Sequence, residues 1–180
     1  MAIWASGIKC ELREVVLRDK PAHMLALSPK GTVPVLLLPD GTVIEESLEI
    51  MQHVLEWELS EEEAHWVARN DEEFKFHLDR YKYPNRYDEV DEVEHRTLAS
   101  AYLFDLDARL GEGPAFASQL NDALFPFVRQ FANHDRDWFD AQPWTEVHAW
   151  LGEHLESEEF KRCMKKEKQW VEGDETVHFP

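Results

Sequence analysis

Apolar positions in the first third of the chain change period several times. Residues 10–17 (Cys-Glu-Leu-Arg-Glu-Val-Val-Leu) alternate and then turn apolar, which predicts a strand buried on at least one face. Residues 21–27 begin with Pro21, tolerated in a first helical turn, and predict a short helix. Residues 33–38 form a compact apolar strand, residues 39–42 (Pro-Asp-Gly-Thr) a turn, and residues 43–45 a returning strand, so the two pair as a hairpin. From Glu46 the spacing becomes helical, with Leu48, Met51, Val54 and Leu55 three and four residues apart.

Beyond residue 57 the pattern is helical almost throughout. Ser60 and Glu63 have the spacing of a capping box, and Trp66, Val67, Phe74 and Leu78 make an apolar stripe. Residues 70–87 read as an aromatic-rich break, and residues 88–110 as a second helix with acidic residues in its first turn. Ser118 and Asn121 are placed to cap a third helix, Pro143 opens a fourth, and residues 157–159 open a fifth whose Lys165, Lys166 and Lys168 suit its C-terminal end. Residues 172–180 carry no pattern and are either pinned by Trp170 or free. The expected organisation is a mixed α/β domain over residues 1–57 and an all-helical domain over residues 58–180.

Composition narrows the classes of function. With 43% hydrophobic residues, seven Trp and ten Phe, the chain can build a real core. A formal charge of −18 repels phosphate backbones and anionic lipids, so neither nucleic acid nor a membrane surface is an expected partner. Two distant cysteines, Cys10 and Cys163, without a signal peptide or long apolar run, point to a reducing cytoplasm. The nine histidines are scattered and none has metal-ligand spacing, so no metal is expected.

The candidate chemistry lies in Ser28-Pro29-Lys30-Gly31-Thr32-Val33-Pro34 and in Glu45-Glu46-Ser47. A Pro at the start of a buried strand needs an edge, a bulge or a cis bond; a cis Val33–Pro34 bond would turn the Val33 amide and carbonyl toward an extended peptide. Glu46 and Ser47 stand where the hairpin gives way to a helix. There a carboxylate can take an ammonium, while a hydroxyl and helix amides can take a carboxylate. Singly these are a turn Pro, a solvated Glu and a helix-start Ser. Together they describe a binder for the free amino-acid end of a small peptide.

Val33-Pro34 followed at this distance by Glu46-Ser47 resembles the glutathione site of the glutathione S-transferase family. The resemblance extends to Ser118-Gln119-Leu120-Asn121 before Leu124-Phe125-Pro126, with Asn121 where the family usually has Asp, and residues 78–83 (Leu-Asp-Arg-Tyr-Lys-Tyr) look like a bacterial subgroup. It implies a thioredoxin-like N-terminal domain lacking its first strand, plus an all-α C-terminal domain. It further implies glutathione as substrate, an electrophile or disulfide as second substrate, and a homodimer. Val33 would pair with the cysteinyl part, held by cis-Pro34; Glu46 and Ser47 would hold the γ-glutamyl end; Lys30 would meet the glycyl carboxylate. The loop that bears the family's Tyr, Ser or Cys is not found, because residues 1–8 look like the end of the helix that follows it. The catalytic residue is therefore unassigned: Ser6 lies too near the helix end and Cys10 falls on the next strand. Without the first strand, residues 10–17 and the hairpin would face an unfilled slot. The strands could pair directly, a second subunit could fill the slot, that half could be partly disordered, or Met1 could mark a truncated reading of a longer gene. An active transferase and a non-catalytic binding or scaffold module both remain open.

Overall fold

A computed structural model describes residues 1–180. They divide into two compact units, Met1–Glu58 together with Glu158–Pro180, and Leu59–Ser157. The expected helical domain ran from residue 58 to the end. Its last part instead returns to the first unit, because Trp170, Val177 and Phe179 have partners there.

The first unit opens with helix α1 (Ala2–Ser6), closed by Gly7 in the left-handed region at φ 70. Strand β1 (Cys10–Leu12) is followed by helix α2 (Ala22–Leu27), with Pro21 at its N-cap. Strands β2 (Leu36–Leu37) and β3 (Val43–Ile44) make the expected hairpin, and Glu46 leads into helix α3 (Ser47–Leu55). The core sets Ala2, Ile50 and Val54 against Ile3, Leu36, Ile44, Met51 and Leu55, so α1, α3 and the inner face of the hairpin share one apolar layer.

All three expected strands are shorter than their predicted spans. The run over 33–38 narrows to two residues because Pro34 has no N–H to give a ladder. The run over 10–17 stops at Leu12, where its three-residue partner ends; Val16 and Asp19 then bridge across a tight turn. That partner is strand β4 (Val177–Phe179), antiparallel to β1 with Cys10 across from Phe179, Glu11 from His178 and Leu12 from Val177. The patternless tail is thus a strand, and β1 pairs with it and not directly with the hairpin. Two separate two-stranded sheets result, β1–β4 and β2–β3.

The second unit is helical. Helix α4 (Glu61–Arg69) starts at the predicted capping box: the Ser60 hydroxyl accepts from the Glu63 amide, and the Glu63 carboxylate accepts from the Ser60 amide. A π turn (Asn70–Phe74) carries the chain without interruption into α5 (Lys75–Lys82), so the break expected over 70–87 shrinks to a single 3₁₀ turn at Pro84–Arg86. The π turn keeps Phe74 fully buried and stacked on Tyr102, ring centroids 4.7 Å apart. Helix α6 (Glu92–Glu112) is capped by Asp91. Helices α7 (Ser118–Ala132), α8 (Arg136–Asp140) and α9 (Thr145–Glu156) complete the unit around Phe131, Phe139 and Trp144. The Asp107 carboxylate on α6 accepts from the Glu146 and Val147 amides at 2.8 and 2.9 Å, capping α9 from another helix.

Two capping expectations are corrected. Ser118 makes no capping bond, and Asn121 instead accepts from Trp150 Nε1 and donates to the Phe116 carbonyl, tying α7 to α9. Helix α10 (Glu158–Cys163) belongs to the first unit and ends before Lys165, Lys166 and Lys168, which therefore do not serve its last turn. No helix is long and apolar enough to cross a membrane.

Candidate functional site

The hairpin register brings the two halves of the sequence motif to one end. Leu36 faces Ile44 and Leu37 faces Val43. The ladder ends at the Leu36–Ile44 pair, so residues 33–35 enter and residues 45–47 leave at the same end of the hairpin. The Val33–Pro34 bond is cis and both residues are exposed. Glu46 stands in extended backbone as the N-cap of α3 without a side-chain cap bond, so the first amides of that nine-residue helix have no side-chain acceptor. The Ser47 hydroxyl is exposed and has no hydrogen-bond partner.

A chain of polar contacts fixes this edge. Ser28, fully buried, donates to Glu45 Oε1 at 2.5 Å. Lys30 Nζ lies 3.9 Å from Glu45 and 3.3 Å from Glu46. Lys30, expected to meet a ligand carboxylate, is thus engaged with the carboxylates of the site itself. Lys20, which the sequence reading passed over, is a cation near this loop with no ion-pair partner. A Cβ added to Gly31, at φ 62, would sit 3.4 Å from Lys20 Nζ. The available cue was Lys20-Pro21, since the residue before Pro is biased toward extended backbone.

Ser6 and Cys10, neither assigned as the thiol activator, are committed elsewhere. The Ser6 hydroxyl donates to the Ile3 carbonyl and accepts from the Ile8 amide, closing the end of α1. Cys10 lies on β1, and burial pushes its thiol above the usual range, opposite to what a nucleophile needs. No group of three or more metal-ligating side chains comes together. The hairpin edge is an open surface. A cavity of about 260 Å³ lies instead between β1 and the tail, lined by Leu12, Glu14, Trp170 and Val177 among others.

Residues 1–63 match the family model described as glutathione S-transferase, N-terminal domain. A sequence comparison with curated proteins found no match. Among solved structures, BphK, a bacterial glutathione transferase in a ternary complex, aligns over 91% of this chain and 90% of its own at 20% identity and TM-score 0.74. A glutathione transferase from Methylococcus capsulatus aligns over 91% and 89% at 22% identity and TM-score 0.70. A sphingomonad glutathione S-transferase complexed with glutathione aligns over 91% and 89% at 17% identity and TM-score 0.71.

Proposed function

From the premise that this chain is glutathione S-transferase-like, in sequence over residues 1–63 and in fold over most of its length, we propose that its first unit binds glutathione at the hairpin edge. The observation that carries this reading is the hairpin that brings exposed Val33 and cis-Pro34 to the same end as Glu46 and Ser47 at the open start of α3. Val33 offers backbone groups to the cysteinyl residue. Glu46 takes the γ-glutamyl ammonium. Ser47 and the first α3 amides take its carboxylate, which the helix dipole favours. Lys20 takes the glycyl carboxylate, with Lys30 holding Glu46 in place.

The same residues favour binding over side-chain activation of the thiol, because Ser6 caps a helix and Cys10 carries a raised pKa. Conjugation of an electrophile, or exchange with a disulfide, would then rest on backbone amides or a second copy in a homodimer. Two free cysteines agree with a cytoplasmic setting.

Isothermal calorimetry with glutathione, run beside a thiol-conjugation assay, tests the proposal. Ser47→Ala should weaken binding about three- to tenfold, the usual effect of losing one hydrogen bond of about 1 kcal/mol. Unchanged affinity in that variant overturns the site, and binding without turnover leaves the non-catalytic reading.

A further inference from the structure

We infer that the tail, through Gln169 and Trp170, positions the loop that carries Lys20 and thereby sets how strongly this protein distinguishes a free glycyl carboxylate. The inference rests on the glutathione reading above. It names positioning residues that touch no ligand.

Residues 13–21 make no regular structure beyond the Val16–Asp19 bridge, so their shape depends on what they lie against. What they lie against is the tail. The Trp170 amide donates to the Glu14 carbonyl at 3.0 Å. The Arg13 guanidinium sits 4.6 Å from the centre of the Trp170 ring, and the His23 ring lies 5.1 Å from it. Arg13 and His23 also meet each other at 2.7 Å, so one indole gathers residues ten positions apart in sequence. The Gln169 side-chain amide reaches both the Asp19 carbonyl, at 3.4 Å, and Asp19 Oδ2, at 3.1 Å. Tail contacts therefore bracket Lys20 on both sides, at Arg13, Glu14 and Asp19 before it and at His23 after it.

Two effects follow for Lys20. Its backbone is held where the side chain reaches Gly31, at the loop leading to Val33. The carboxylate nearest to it in sequence, Asp19, is engaged by Gln169 and does not neutralise it. Pairing of β4 with β1 anchors the far end of the tail, with Phe179 6.3 Å from Trp4. In a chain of formal charge −18, an unpaired cation beside a binding edge is a scarce resource for an anionic ligand.

The test compares the full chain's affinity for glutathione with that for glutathione amide, in which the glycyl carboxylate is a neutral carboxamide. The wild type should prefer glutathione by about fivefold, as expected of one partly exposed ion pair. In Trp170→Ala the preference should fall to about one while amide affinity stays unchanged, and Trp170→Phe should restore it because a ring still stacks under Arg13. Gln169→Ala, which removes only exposed bonds, should reduce the preference by about half and remains readable if Trp170→Ala fails to fold. A preference unaltered in these variants, or both ligands weakened equally, overturns the inference. So does a wild type that binds both ligands alike. A wild type that binds neither overturns the glutathione reading first, and the tail's role with it.

Discussion

His77 on α5 and His95 on α6 meet Nδ1 to Nδ1 at 2.7 Å, their rings 5.0 Å apart. One imidazole must donate and the other accept, so the bond exists with two or three ring protons between the pair but fails with four, when both rings are cationic. Burial, then the neighbouring His95 charge and Arg80, hold His77 below its ordinary pKa, against the opposing pull of Glu73 and Glu94. A depressed histidine binds fewer protons folded than unfolded. Its contribution is therefore complete above the unfolded value of 6.5 and is lost as pH falls from there toward the lower folded value. Melting temperature measured across pH 7.5 to 5 should fall more steeply for the wild type than for His77→Gln.

Asp107 is predicted to matter more than its surface position suggests. It satisfies two amides at the start of α9, where no local side chain caps. Asp107→Ala should cost about 1–2 kcal/mol and Asp107→Asn much less, read by urea denaturation. Equal losses in the two variants would assign the effect to charge and not to capping.

Ser60→Ala removes one half of a reciprocal cap and should cost about 1 kcal/mol. Thermal unfolding of the variant, compared with Glu63→Ala, checks this. The pair should lose less together than the sum of the singles, since each lone partner is already useless.

Cys10 should behave as a structural thiol. Its raised pKa and place on β1 predict slow modification by a disulfide reagent near neutral pH, and unchanged glutathione affinity in Cys10→Ser. Fast modification, at the rate of a lowered-pKa thiol, would instead make Cys10 a reactive group.

Phe74→Ala should be the most damaging of these substitutions, about 3–5 kcal/mol, because the side chain is fully buried between Tyr102 and Phe131. Chemical denaturation gives the value directly.

Local physics was legible in the sequence. The capping box at Ser60 and Glu63, the hairpin around Asp40-Gly41 and the helix after Glu46 depend on residues within a few positions of each other, so spacing alone specifies them. The motif of Val33, Pro34, Glu46 and Ser47 was readable for the same reason, because a tight hairpin fixes which residues share an end. The helix through residues 70–74 was missed because a π turn adds a residue to the period, and Asn121 was misread because its partner, Trp150, is 29 positions away.

The tail shows where sequence ends and tertiary structure begins. Residues 172–180 have no periodicity, since three paired residues are too few to leave one. Only a partner already in place, the exposed edge of β1, makes Val177–Phe179 a strand. The surroundings of Lys20 and Lys30 were decided in the same way. Both are lysines on loops, and composition cannot separate them. Ser28 holds Glu45, and Lys30 is drawn to Glu45 and Glu46, while Gln169 engages Asp19 and leaves Lys20 unpaired. Local sequence determined the hairpin end that carries the proposed site, whereas long-range contacts decided which lysine beside it lacks an ion-pair partner, because ion pairing depends on distance in space and not along the chain.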